Sequence, residues 1–390
     1  MKYSFVIPTY NNRDNLRNSL QSLVVQRGYS KDLYEVVVAD DGSTDDLPAS
    51  LDDFQELLNL RLVRMERDEK SCRSRARNFG WKNSCGDFVV FIDSDIIVKD
   101  DHLQQLDRYF DANDDCVVIG NRIHKRSGIS RETIADGTLF DAFKFPMEDI
   151  SSLDYRYLTF SAQSFNARVV PDPWLHAYSC NIAMSRKWLR KTGGFNEKML
   201  NWGLEDVEFA YRLCQAHADI HINPYLEVLH QNLGHRDDIS ISRARMDGYL
   251  KNIDYFLCLH PSALAHYPDP VHVLVKGHDY AEFAIVENDI CIDNFKNEFS
   301  VDEFALFIMK IRENIGRLIL FDHADSSGLD VHVQNFKDPS YPIYYFPLNR
   351  KIDVARMKSH VDAARRRDAV DYRAGLAAGH ENRGMAVLNN

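Results

Sequence analysis

Aspartates gather where apolar runs stop, a placement that suits a cation or a polar ligand. Asp93-Ser94-Asp95 follows the run Phe88-Val89-Val90-Phe91-Ile92. Two acids at i and i+2 after a buried strand can aim both carboxylates at one divalent ion where the backbone turns. Hard oxygen ligands suit Mg²⁺ or Mn²⁺ bridging a diphosphate. The alternative is a pair of solvated acids opening a loop that continues into Lys99-Asp100-Asp101. Asp40-Asp41-Gly42-Ser43 ends a second run. There a carboxylate can accept hydrogen bonds from a base N–H or from ribose hydroxyls, with Gly42 turning the backbone; equally, it can form an Asx-type turn with Ser43 capping the next helix. Val6-Ile7-Pro8-Thr9-Tyr10-Asn11-Asn12 turns sharply at Pro8, which exposes backbone groups to a nucleobase or is an ordinary strand exit. Arg73, Arg75 and Arg77 lie two apart and cannot share one helix face, so one is available to a diphosphate while the others are solvated.

The elements that must position these groups alternate between short apolar strands and helical stretches. Strands are expected at Ser4–Pro8, Glu35–Ala39, Leu60–Met65 and Asp87–Ile92, and helices at Asn12–Val25, Asp52–Leu58 and Ser71–Asn83. That alternation predicts an α/β fold with a mostly parallel, Rossmann-like sheet and helices on both faces. Ligands in such sheets sit beyond the carboxyl ends of the strands, where two successive strands here place acids. Residues 124–170 are less regular and read as an acceptor-side insertion or lid. Order returns with Tyr178–Ser185, a helix from Lys187, the turn Thr192-Gly193-Gly194-Phe195 and the stretch Asn201–Ala216. Helical spacing over Ser240–Leu259 leads to a linker, Pro261–Pro270.

Two units follow from this pattern: a main domain over 1–260 and an extension over 261–390 whose role the sequence leaves open. In the extension, Val271–Lys276, Ala284–Ile292, Arg317–Phe321 and Ile343–Phe346 read as strands and Asp302–Ile315 as an apolar helix. That helix must pack on its own strands, on the main domain or on a second subunit. A unit with its own core and no recognisable chemistry is expected to position an acceptor or a partner. The Arg365-Arg366-Arg367 run reads as a solvated face, with a weak membrane-surface contact as the alternative.

Composition narrows the classes. A formal net charge of −11 argues against nucleic acid as the main partner, which needs a basic face. Cys72, Cys85, Cys116, Cys180, Cys214, Cys258 and Cys291 are scattered without a C-x-x-C spacing, so neither a disulfide framework nor a zinc knuckle is expected. With no signal-peptide pattern at Met1-Lys2-Tyr3 and no run of ~18 apolar residues, the expectation is a soluble protein of the cytoplasm, with a position peripheral to the membrane's inner face as the alternative. No G-x-G-x-x-G follows the first strand, which sets aside a dinucleotide oxidoreductase.

Val-Ile-Pro-Thr-Tyr-Asn, Asp-Asp-Gly-Ser, Ala76-Arg77-Asn78 and Asp-Ser-Asp, in that order, resemble glycosyltransferase family 2, whose members have the GT-A fold. Asn201-Trp202-Gly203-Leu204-Glu205-Asp206 is similar to the Trp-Gly-x-Glu-Asp motif of chondroitin-synthase-like and β-galactosyltransferase-like members. The resemblance covers residues 1 to about 235. It implies an inverting, metal-assisted transferase that moves a sugar from a nucleotide-diphosphate-sugar, most simply a UDP-sugar, to a saccharide, glycolipid or peptide hydroxyl. It also implies that Pro8, Thr9, Asp40 or Asp41, and Arg73 or Arg77 hold the nucleotide. Asp93 and Asp95 would meet ribose and metal, Gly194, Trp202 and Gly203 would border the donor sugar, and His230 would complete the metal site, with His235 its competitor. Asp206 would be the general base, with Glu205 the other candidate carboxylate. The residues themselves are compatible with this: Asp206 opens a helix with the apolar face Val207, Phe209, Ala210 and Leu213, where the dipole favours an ionised carboxylate, although acids also commonly decorate helix starts. Two other readings are a retaining transferase of the polypeptide GalNAc type, which usually follows the Glu with Asn, and a non-catalytic nucleotide-sugar-binding scaffold, which would be expected to have lost one of these acids.

Overall fold

The computed structural model describes residues 1–143, 154–231, 243–276, 290–311 and 318–347, apart from 126, 155, 164, 268, 269, 325, 337, 339, 340 and 342. His235, Arg365–Arg367 and everything else after residue 347 lie outside the described residues.

The main sheet contains β1 (Tyr3–Thr9), β2 (Tyr34–Asp40), β3 (Leu60–Arg64), β4 (Phe88–Phe91), β5 (Ile96–Val98), β6 (Cys116–Lys125), β7 (Ile182–Ser185) and β8 (Asp219–Gln231). Their order across the sheet is β3-β2-β1-β4-β7-β6-β8-β5. The first four run parallel. β7 is antiparallel to both β4 and β6, and β6 is parallel to β8. The directions therefore bring the carboxyl ends of β1, β2, β4, β6 and β8 to one edge. β5 runs antiparallel to β8, so its start, just after Asp95, lies at that same edge.

The central strands β1, β2 and β4 are largely apolar and buried because both faces are covered, as expected for buried parallel strands. Period-two alternation divides them between two cores. Val6, Val89, Phe91, Val117 and Ile119 face one side with Trp174, Phe209 and Phe256. Phe5, Ile7, Val36, Val38, Val90 and Val118 face the other with Leu16, Leu20 and Leu103. Each such side chain contributes about 1.5–3 kcal/mol on burial, so a one-residue register slip is strongly penalised.

Beyond the main sheet, β9 (Ile290–Asn294), β10 (Leu318–Asp322) and β11 (Ile343–Pro347) form a parallel three-stranded sheet. It shares its own core with the helices Val301–Ile311 and Leu329–Asn335. One expectation is corrected: Val271–Lys276 is not a strand but part of the helix Pro270–Lys276. Its β-branched residues mimic strand composition, but the segment packs through Leu274 onto the main-domain core rather than pairing with a neighbour. Ala263 and Leu264 join that core too, although they follow Pro261.

The C-terminal unit docks on the main domain through polar groups. Asp330 is fully buried, pairs with Arg108 and accepts from the Tyr109 hydroxyl at 3.1 Å. The Gln334 side-chain oxygen accepts from Ile222 N–H at 2.8 Å, and the Asn166 amide donates to the Ile343 carbonyl at 2.8 Å. Removing one partner of a buried pair leaves the other desolvated and alone, which costs roughly 3 kcal/mol or more. Asp330→Ala should therefore lower the urea midpoint of the whole chain or detach the C-terminal unit in an earlier transition. An unchanged unfolding curve would show that this junction does not hold the two units together.

Candidate active site

The polar edge is built first by β1 and β2. Thr9 and Asp40 are register partners at their carboxyl ends, and Asp41 N–H donates to the Thr9 carbonyl at 3.0 Å. Asp40 is buried and accepts from Ser43 N–H at 2.9 Å, so it closes the turn at Gly42, whose φ of +79° suits glycine. Ser43 does not cap a helix; its hydroxyl accepts from Asn11 N–H at 2.9 Å. Asp41 is held by Arg67 and by the Ser71 hydroxyl, and Arg67 stacks on Tyr10 with its guanidinium 3.7 Å from the ring centre. Pro8 lies within β1 just before this junction.

The three arginines of the helix Arg73–Lys82 have separate fates. Arg73 is exposed, yet its charge reaches Asp93 and Asp95. Arg75 pairs with Asp68. Arg77 is buried and does not face a solvent-accessible ligand: one Nη donates to Asp93 Oδ1 at 2.9 Å and the other to Glu205 Oε1 at 3.0 Å. It thereby ties the end of β4 to the start of the helix Glu205–Gln215. Burial alone would raise the Asp93 carboxyl, but the Arg77 guanidinium holds it below the ordinary range.

Asp95 has different surroundings. Its Oδ2 is 3.5 Å from His230 Nε2, while Oδ1 is buried with no hydrogen-bond partner among the described residues. Burial and the neighbouring Asp93 push its carboxyl above the usual range, with His230 opposing them. A raised, unsatisfied carboxylate beside an imidazole is a place where a divalent cation would satisfy the donor set. Asp93 is committed to Arg77, and no three His, Cys, Asp or Glu side chains converge among the described residues. The arrangement therefore fits a cation held by Asp95 and His230 with its remaining positions left to a ligand and water.

Beyond Arg77 and Glu205, Asp206 is half-buried. Its Oδ2 accepts from Ser179 N–H at 3.3 Å and its Oδ1 from Val207 N–H at 2.9 Å. Burial, then the adjacent Glu205, push its carboxyl up to about 6, with Arg77 working against them. The helix start favours ionisation, as the sequence implies, but desolvation outweighs it. Glu205 is more deeply buried, and its Oε1 is taken by Arg77.

The loop before this helix is held in an unusual conformation. Gly203 has φ +86°, and Leu204 has φ +73°, a region that costs a non-glycine residue about 1–2 kcal/mol. A Cβ on Gly203 would lie 2.7 Å from the Tyr249 ring, and the Asn252 amide donates to the Gly203 carbonyl at 2.7 Å. The helix Arg243–Leu259 therefore braces the loop that presents Trp202, which remains 37% exposed. Gly194, at φ +80°, lies so close to Asn78 that a Cβ would sit 2.3 Å from Oδ1. Asn78 in turn bonds both the N–H and the carbonyl of Phe195.

Some neighbours were not identified from sequence. The His124 ring lies 5.2 Å from that of His230, and burial, then Arg122 and His230, push His124 down to about 4. Arg122, Asp154 and Arg156 form a buried ionic group nearby. The only linear signal was Arg122-Ile123-His124, whose alternation marks a strand with a polar face.

Similarity to known proteins agrees with this architecture. Residues 4–193 match glycosyl transferase family 2, and residues 163–233 match the N-terminal domain of galactosyltransferase. The chondroitin synthase of Pasteurella multocida is 31% identical over 222 residues, covering 54% of this chain and 22% of that protein. The uncharacterized glycosyltransferase YfnE of Bacillus subtilis is 27% identical over 284 residues, 65% of this chain and 71% of that protein. In fold, the crystal structure of S. aureus TarS 1–349 in complex with UDP-GlcNAc is similar with a TM-score of 0.50 at 19% identity, covering 71% of each chain. The expected GT-A architecture is thus present, and the chain carries a glycosyltransferase family 2 region over residues 4–193, from β1 to the turn after β7.

Proposed function

We propose that the chain is an inverting glycosyltransferase that moves a sugar from a nucleotide-diphosphate-sugar, most simply a UDP-sugar, to an acceptor hydroxyl. The observation that carries this reading is the Arg77 link between Asp93, two residues before the Asp95–His230 group, and Glu205, the neighbour of Asp206, a half-buried carboxylate raised to about 6. A general base works best when its pKa lies near the working pH. Asp206 accepts the proton of the acceptor hydroxyl as that oxygen attacks the anomeric carbon from the face opposite the nucleoside diphosphate. A single displacement inverts the configuration. Ser179 N–H and Val207 N–H hold the carboxylate in place. Arg77 fixes Glu205 and Asp93, and so ties the start of the Asp206 helix to the end of β4.

Asp95 and His230 would hold Mn²⁺ or Mg²⁺, which when bound neutralises charge on the departing diphosphate. Arg73, exposed and acting on Asp93 and Asp95 by its charge, would meet the same phosphates. Thr9, Asp40 and Asp41 would border the nucleoside, and Trp202 the sugar. The C-terminal unit is assigned acceptor or partner positioning. Because Leu264 and Leu274 belong to the main core, a truncation testing that role must end after Lys276 rather than at Pro261.

A panel of UDP-, GDP-, ADP- and dTDP-sugars, scored for nucleoside diphosphate release with and without Mn²⁺, tests the reading without knowledge of the acceptor. Release from one donor class is the expected result; no release from any of them, with or without metal, would count against a catalytic role.

A further inference from the structure

Two arginines share one carboxylate close to the proposed reacting centre, and among the described residues one of them keeps hydrogen-bond donors to spare. Asp154 is 2% exposed and saturated: Oδ1 accepts from Arg156 N–H at 3.0 Å and Arg156 Nε at 3.1 Å, and Oδ2 accepts from Arg156 Nη2 at 3.2 Å and from Arg122 Nε. Arg156 is fully buried and completes its bonding by donating from Nη1 to the His176 carbonyl at 2.7 Å. Arg122 differs. Beyond its bond to Asp154, its Nη1 faces only the Cys180 sulfur at 3.9 Å, and its Nη2 has no acceptor among the described residues. Its side chain is 23% exposed.

The local balance is thus two guanidiniums against one carboxylate, an excess of positive charge in a protein whose net charge is −11. Its location is defined from both sides. Arg122 stands on the same face of β6 as His124, which contacts His230 of the Asp95 group. Arg122 also lies 5.4 Å from the Tyr178 ring centre, and the next residue, Ser179, donates to Asp206. Cys180, beside Arg122, feels the charges of Arg122, Arg156 and Asp93 alike. An arginine with a free edge, backed by a saturated carboxylate and stiffened by an aromatic ring, matches a planar or tetrahedral oxyanion.

We propose that Arg122 binds an anionic group, a carboxylate or a phosphate, carried by the acceptor next to the hydroxyl that reacts, so that this enzyme glycosylates an acidic saccharide or a sugar-phosphate polymer rather than a neutral one. The inference rests on the glycosyltransferase reading for the word acceptor, but the anion site itself does not depend on it. The other source of such an anion is the donor diphosphate, and the test separates the two.

The experiment uses the full chain with the donor found active in the panel and three matched acceptors: methyl β-glucoside, methyl β-glucuronide and the 6-phosphate of methyl β-glucoside. Transfer and binding are measured for each, at low salt and at about 0.5 M KCl, where exposed ion pairs are largely screened. At least one anionic acceptor should be favoured over the neutral one by ~10-fold or more, the scale of a charge-assisted bidentate contact, and the preference should shrink with salt. Arg122→Gln should bring the anionic-to-neutral ratio close to one, with Arg122→Lys retaining part of it. Equal use of neutral and anionic acceptors by the unaltered protein, or an unaltered ratio in Arg122→Gln, overturns the proposal. So does a fall in acceptor-free donor hydrolysis as large as the fall in transfer, which would assign Arg122 to the diphosphate. Should Arg122→Gln fail to fold, the salt-dependent ratio of the unaltered protein and that of Arg122→Lys decide the matter. Selective binding of an anionic acceptor with no donor hydrolysis would keep the anion site and reject the glycosyltransferase reading.

Discussion

Asp206→Asn is expected to lower turnover by at least ~10²-fold, the usual scale of general-base catalysis, with donor affinity nearly unchanged. Asparagine keeps the size of the side chain and its single oxygen can still accept from Val207 N–H, giving up the longer contact from Ser179 N–H, but it cannot take a proton. The same substitution should stabilise the fold at neutral pH. Asp206 is raised from 3.8 to about 6 by burial and by Glu205. Between those two values the folded state binds more protons than the unfolded state, so stability falls as pH rises through that window. The neutral amide removes this loss, and the melting temperature of Asp206→Asn at pH 7.5 should equal or exceed that of the unaltered protein. Turnover should also drop as pH falls below about 6, because the base is then protonated. An inactive Glu205→Gln beside an active Asp206→Asn would show that the wrong carboxylate has been named. An acid limb well away from pH 6 would leave the loss of activity in Asp206→Asn without its stated cause.

The second large effect concerns the cation. Activity should vanish in EDTA and return with Mn²⁺ or Mg²⁺, and Asp95→Ala should lose at least ~10²-fold in turnover and weaken donor binding as well, since neutralising a leaving diphosphate is worth several kcal/mol. Asp95→Ala should not unfold the protein, because it deletes a carboxylate that burial penalises and whose Oδ1 has no partner among the described residues. Equilibrium dialysis with Mn²⁺ gives a readout independent of turnover: the unaltered protein with nucleoside diphosphate should retain metal that Asp95→Ala releases. Full activity in chelator would remove the metal from the mechanism, and with it the role given to His230.

Much of the fold could be read from the sequence because it depends on local chemistry. Runs such as Val36–Ala39 and Phe88–Phe91 are apolar at every position, which a strand covered on both faces explains. The acids that follow them had to lie at the carboxyl edge of the sheet. The positions of Thr9, Asp40 and Asp95, and of Asp206 at a helix start, follow from that rule and from the order of the motifs. Packing settled what spacing left open. Nothing in the Arg73, Arg75, Arg77 triplet says which side chain turns inward; only the approach of the helix Glu205–Gln215 to β4 commits Arg77 to Asp93 and Glu205. The charge state of Asp206 was legible only in part, because a helix dipole is a local property whereas desolvation and the field of Glu205 arise when separate segments close around the carboxylate. Val271–Lys276 has a strand's composition, yet it lies in a helix packed through Leu274 on the main core. Arg122, Asp154 and Tyr178 are far apart in sequence and meet because β6 pairs antiparallel with β7, which brings its later residues alongside those leading into β7. The sequence determined which residues could do chemistry and at which edge of the sheet; long-range contacts decided which of them touch, how far their charges are desolvated, and therefore what each can do.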